Sequence, residues 1–199
     1  MATGLTTLDI LQATLDVLSQ TRAITQTELT NNSQPEARWF NRVYPRTVRA
    51  LLRSSVWTFA KGTAEVTKDT TNPSFDWSYR YALPSDWVRL LPLTRGGLRE
   101  GDLIPFELFG SWLHTDDAGP LKMRGVQDMQ DPDDWDHLFV DVVIGRLAVL
   151  YAPKLTGKVN YSRMAKEYFD DAFALAEQMG AIEEWPEPVE EHDIIRVRG

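Results

Sequence analysis

The sequence predicts an α+β protein, mainly α. A four-helix body, two helices N-terminal and two C-terminal, carries a central antiparallel β insertion and ends in an extended arm. Three observations lead there. Apolar side chains fall on every second residue in Trp77, Tyr79, Tyr81 and Leu83, with Ser78, Arg80 and Ala82 between them, which is the period of a strand with one buried face. On both sides of this stretch apolar residues recur at spacings of three and four, the period of a helix. The final stretch, with Trp185-Pro186-Glu187-Pro188 followed by Glu190-Glu191, is stiff and charged and suits neither. The expected division is 1–56 and 128–181 for the helical body, 57–127 for the β-rich insertion and 182–199 for the arm.

In chain order, Leu8, Leu11, Leu15 and Leu18 make an amphipathic helix over 6–19, capped by Thr6 or Thr7 with Asp9 near its positive end. Residues 21–34, rich in Thr, Asn and Gln, read as a loop. A second helix is expected from Ser33-Gln34-Pro35 to about Ser55, with proline in its first turn. Phe40, Tyr44, Val48 and Leu51 or Leu52 share its inner face, and Pro45 predicts a kink near Asn41 or Arg42. Its polar face carries Arg38, Arg42, Arg46, Arg49 and Arg53, a surface for an acidic or phosphate partner, or a solvated or subunit-contacting face.

Val56-Trp57-Thr58-Phe59-Ala60 is expected to leave this helix and enter the first strand, which 61–68 continues. After the turn cluster 69–74 come the aromatic strand, the break at Pro84-Ser85-Asp86 and a second apolar segment, 87–93. Arg95, Gly96, Gly97, Arg99 and Gly101 form a loop or hairpin tip. No lysine–Ser/Thr pair follows the glycines, so they do not make a phosphate cradle. Short strands are expected at 104–108, 112–114 and 121–124, with a turn at 116–119.

The acidic run 128–136 lacks the central glycine and closing glutamate of a calcium loop. It reads as a helix start with Asp131 as cap, Pro132 in the first turn, and Asp133 and Asp134 at the positive end. The helix 135–151 is apolar over more than half its circumference and is expected to be the most buried. A last helix over 158–179 should turn Tyr161, Ala165, Tyr168, Ala172, Leu175 and Met179 inward, with Gly180 as its C-cap. The alternation in 193–198 resembles a strand that adds to a partner's groove or sheet edge.

Composition narrows the function. With no cysteine among 199 residues, neither a disulfide framework nor a thiol nucleophile is available. A formal net charge of −8 and a pI near 4.9 disfavour a protein that grips duplex DNA through its phosphates. Nothing near the N-terminus reads as a signal peptide, and no apolar run approaches the roughly 20 residues of a membrane helix. A protein assembled in a cytoplasm is the expectation. His114, His137 and His192 lie apart without a metal spacing, and no serine sits in a nucleophile elbow. No catalytic residue, metal or cofactor is expected.

Two motifs carry a family resemblance. Leu51-Leu52-Arg53 followed by Trp57-Thr58-Phe59-Ala60, and Tyr79-Arg80-Tyr81-Ala82-Leu83-Pro84-Ser85-Asp86, are similar to signatures of phage head–tail adaptors. Those are the tail tubular protein A family of short-tailed phages and the adaptors of long-tailed phages and gene transfer agents. The order of helices, β insertion, helices and arm agrees as well. The resemblance implies a virion protein at the head–tail junction: a ring of twelve copies beneath the portal, joining it to the tail or nozzle and continuing the DNA channel without binding DNA specifically. On that reading Arg38, Arg42, Arg46, Arg49 and Arg53, with Trp185, Ile194, Ile195, Arg196, Val197 and Arg198 of the arm, meet a neighbouring copy or the portal. Arg95, Gly96, Gly97 and Arg99 meet the tail side. The alternatives are a small carboxylate-dependent hydrolase of the virion, or a nucleic-acid-binding regulator that uses the arginine helix.

Overall fold

The computed structural model describes residues 4–20, 22–73, 76–98, 101–155 and 159–183. Helix α1 (Thr7–Val17) starts where the Thr6 hydroxyl accepts from the Asp9 amide at 3.3 Å and the Asp9 carboxylate accepts from the Thr6 amide at 2.8 Å. This reciprocal cap satisfies two donors the helix leaves open. The stretch expected as a loop holds a short helix, α2 (Gln26–Thr30), capped in the same way by Thr25 and Glu28. Ile24 and Leu29 anchor it in the core, so a polar-looking segment is helical because of its caps and two apolar anchors. Helix α3 (Pro35–Ser54) runs on through Pro45, and Phe40, Tyr44, Val48, Leu51 and Leu52 are all buried.

The chain does not enter a strand at 56–60. Thr58–Ala60 is a single 3-10 turn, and Trp57 turns back into the helical core. There its indole donates to the Leu51 carbonyl at 2.8 Å and meets Phe139 edge-on, ring centroids 4.7 Å apart. The strands are β1 (Lys61–Val66), β2 (Tyr79–Ala82), β3 (Trp87–Leu90), β4 (Glu107–Phe109), β5 (Trp112–Thr115) and β6 (Leu121–Gln127). They form two small antiparallel sheets, ordered β1-β6-β3 and β2-β5-β4. Ile104-Pro105-Phe106, expected within a strand, lies outside one: Pro105 has no N–H for a ladder, and the Ile104 amide donates instead to the Leu93 carbonyl at 2.9 Å beside an isolated bridge. Tyr81, Leu93, Ile104, Leu113, Leu121 and Met123 form a cluster of their own.

Asp131 does not cap the long helix. It caps a separate 3-10 turn, Pro132–Asp134, and Asp136 caps α4 (His137–Tyr151) by accepting from the Leu138 amide at 2.8 Å. Trp135 sits buried between the two starts, its indole donating to the Met129 carbonyl at 2.9 Å, which separates what reads as one start. Helix α4 is buried around most of its circumference, as expected.

Helix α5 (Val159–Glu183) continues through Gly180, which is therefore not a C-cap. Of its expected inward stripe Ala165 is buried and Tyr161, Tyr168 and Ala172 pack against the core. Leu175 and Met179 instead lie 48% and 40% exposed, and Ala176 is buried in their place. Residues 184–199 lie outside the described residues. Among the described residues no helix is long and apolar enough to cross a membrane.

Gly145 on α4 sets the approach of α5. A Cβ there would stand 2.9 Å from the Phe169 Cα, a backbone atom that cannot swing aside. Gly145→Ala is therefore expected to cost about 1–3 kcal/mol by overpacking, read as a lowered denaturant midpoint; an unchanged midpoint would deny Gly145 this role. The same interface holds Tyr168, whose hydroxyl donates to Asp141 Oδ1 at 3.3 Å. Burial first, then the Asp141 charge, pushes its phenol from 10.0 up to about 12. A raised folded value means that the associated stability is present below pH 10 and lost as pH climbs through about 12. Tyr168→Phe should show a smaller alkaline loss than the parent in melts across that window.

Candidate functional site

The five α3 arginines stand on one stripe. At 100° per residue, positions 38, 42, 46, 49 and 53 fall within about 80° of arc, and all five are exposed. Arg49 is committed within the chain: its guanidinium pairs with Asp128, the Nε donating to Oδ2 at 2.9 Å. That pairing holds the Arg49 guanidinium above its ordinary range, through the hydrogen bond first and the charge second. Among the described residues Arg38, Arg42, Arg46 and Arg53 have no acidic partner. Arg53 offers only its carbonyl, which accepts from Arg89.

Two grooves flank the stripe. One, of about 520 Å³, lies between α3, α4 and α5, with Leu51, Leu150, Phe169 and Phe173 on its walls and Arg46 and Arg146 among its cations. The Arg146 guanidinium sits 5.6 Å from the Phe169 ring centroid, a cation–π contact. The other, of about 560 Å³, lies between α3 and the start of β3 and includes Arg49, Arg53, Trp87 and Asp128. Arg46 and Ala50 line both, so the surface is continuous across α3.

Two groups of exposed apolar side chains are not legible as such in the sequence. On α5, Met164, Leu175, Met179 and Ile182 are exposed along one flank of the helix, beside the stripe that packs on α4. In the β insertion Leu98, Leu103, Leu108 and Phe109 are exposed, the last two on the edge strand β4. An alternation in sequence cannot separate a surplus apolar side chain from a core one.

The glycine loop is less free than a hairpin tip. Arg95–Gly97 is a tight turn with Gly96 and Gly97 at φ of 69°, a region that glycine enters without strain. A Cβ on Gly97 would meet the Lys122 side chain at 2.6 Å, so the loop lies on β6. Arg95 is exposed and stands 3.8 Å from Asp117; Arg99 lies outside the described residues. So do Trp185, Ile194, Ile195, Arg196, Val197, Arg198 and His192.

The acidic run 128–136 serves the fold: Asp128 holds Arg49, while Asp131 and Asp136 cap helices. His114 packs against Phe109 with tilted rings, centroids 4.7 Å apart, and His137 is the exposed first residue of α4. Among the described residues no group of three or more His, Asp and Glu could hold a metal ion. The motif residues are structural: Trp57 and Tyr81 are buried, and the Tyr81 hydroxyl donates to the Asp117 carbonyl at 2.7 Å. No family model matches the chain, and no curated protein matches it.

Proposed function

We propose that this chain is a head–tail adaptor of a virion, a ring-forming structural protein beneath the portal that joins it to the tail and continues the DNA channel. The observation that carries the proposal is the flank of α5, where three large apolar side chains, Leu175, Met179 and Ile182, stand exposed at spacings of four and three on a helix that is already packed on its other side. Contiguous exposed apolar surface of this kind marks a contact site. Further exposed apolar side chains, Leu98, Leu103, Leu108 and Phe109, lie on the β insertion, on different elements. A part that meets copies of itself at its sides and other components at its ends needs such separate surfaces. Head-to-tail contact between unlike faces closes a ring, and the resemblance puts the number at twelve.

In this reading the α5 flank and the α3 arginines form the lateral contacts, and segment 184–199 reaches the portal or a neighbour. The loop with Arg95 and Arg99, beside exposed Leu98 and Leu103, meets the tail side. The net charge of −8 suits a lumen past which DNA slides without adhering. The arginine stripe also favours a second reading, a regulator that binds duplex DNA; a steep fall of affinity with salt would mark it.

Leu175→Glu with Met179→Glu changes exposed positions, so the variant should fold with the parent's helical content yet fail to assemble into particles. Normal assembly by this variant removes α5 from the lateral contact. Arg95→Glu with Arg99→Glu should leave heads filled and tails unattached, and normal tail attachment rules the loop out as the docking point.

A further inference from the structure

The arginine stripe of α3 is a poor arrangement for a chain standing alone. Neighbouring cations at spacings of three and four repel one another, and among the described residues only Arg49 has a carboxylate beside it. The rest of the chain contains a fitting counterpart. Residues 184–193 read Glu-Trp-Pro-Glu-Pro-Val-Glu-Glu-His-Asp, with five carboxylates and neither lysine nor arginine. Helix α5 is described as far as Glu183, and Gly180, just before that point, shares a cavity wall with Ser55 and Val56. The segment therefore leaves the body beside the end of the stripe marked by Arg53. Ten extended residues reach about 33–36 Å, and the stripe from Arg53 back to Arg38 is about 22 Å long.

We infer that the acidic segment 184–193 docks on the arginine stripe of its own chain, with its apolar residues in the grooves that flank Arg46 and Ala50. Trp185 and Val189 match the walls of Phe169, Phe173 and Leu150, and the carboxylates between them match the cationic rim of Arg46, Arg53 and Arg146. A docked segment covers the arginines that lateral contact would use, so it holds the free chain apart from its copies until the segment is drawn off. The contact belongs to the single chain and stands whether or not the chain forms rings.

The full-length chain contains no cysteine, so an introduced pair reports the contact directly. Ala50→Cys with Glu187→Cys is compared with a control, Ala174→Cys with Glu187→Cys, because Ala174 is exposed on α5. At low salt the first pair is expected to form its intrachain disulfide roughly tenfold faster than the control, since docking raises the effective concentration. The ratio should fall towards one in about 1 M salt, where the Debye length is about 3 Å, and equally when Arg46→Glu and Arg53→Glu are added. Equal rates for the two pairs at low salt would overturn the inference. So would disulfides that form only between chains, which would put the segment on a neighbour. Control-rate pairing with steeply salt-dependent binding of a duplex DNA fragment by the full chain would overturn it too, and would give the stripe to nucleic acid.

Discussion

The helical body takes its arrangement from the burial of α4. Phe139, Val142, Val143, Leu147 and Ala148 are sealed from solvent, and a helix apolar on nearly all sides is stable in water only when other elements cover it. Helices α1, α3 and α5 supply that cover. Gly145 decides how close α5 can come, because its missing side chain leaves room for the Phe169 backbone. The aromatic rings of Trp57, Phe59 and Trp135 all meet Phe139, so the entrance and exit of the β insertion are fixed to the same helix.

That anchoring makes the β insertion an outgrowth of the helical core. Strand β6 belongs to both parts: Val126 packs in the helical cluster, while Leu121 and Met123 pack in the β cluster. Gly125 between them lies under the Trp87 ring, where a Cβ would meet ring carbon at 2.2 Å. The surfaces left over are a cationic stripe on α3, an apolar flank on α5 and an apolar edge on β4. All are shapes that another surface can cover, and the functional proposal rests on that property.

Much of the helical body was legible because its signals are local and redundant. Thr6 with Asp9 caps α1, and the α3 stripe from Phe40 to Leu52 is unambiguous at helical spacing. Helix α2 is hidden by its polar composition, although Thr25 and Glu28 carry the spacing of a reciprocal cap. The outward flank of α5 is hidden in the sequence for a different reason. That helix has more apolar side chains than its contact with α4 can bury, and spacing alone does not say which flank is surplus. The reversal of Trp57 into the core is likewise tertiary, fixed by the Leu51 carbonyl and Phe139. The arginine stripe was visible as a pattern, but the commitment of Arg49 to Asp128 joins residues far apart in sequence.

The most direct test of the proposed adaptor role is the mass of the protein in solution, by light scattering, alone and mixed with purified portal rings. The account predicts a single 22.7 kDa subunit alone and about twelve subunits added to each ring in the mixture, in keeping with closed cyclic assembly. A chain that stays a lone subunit in the presence of the portal would contradict it.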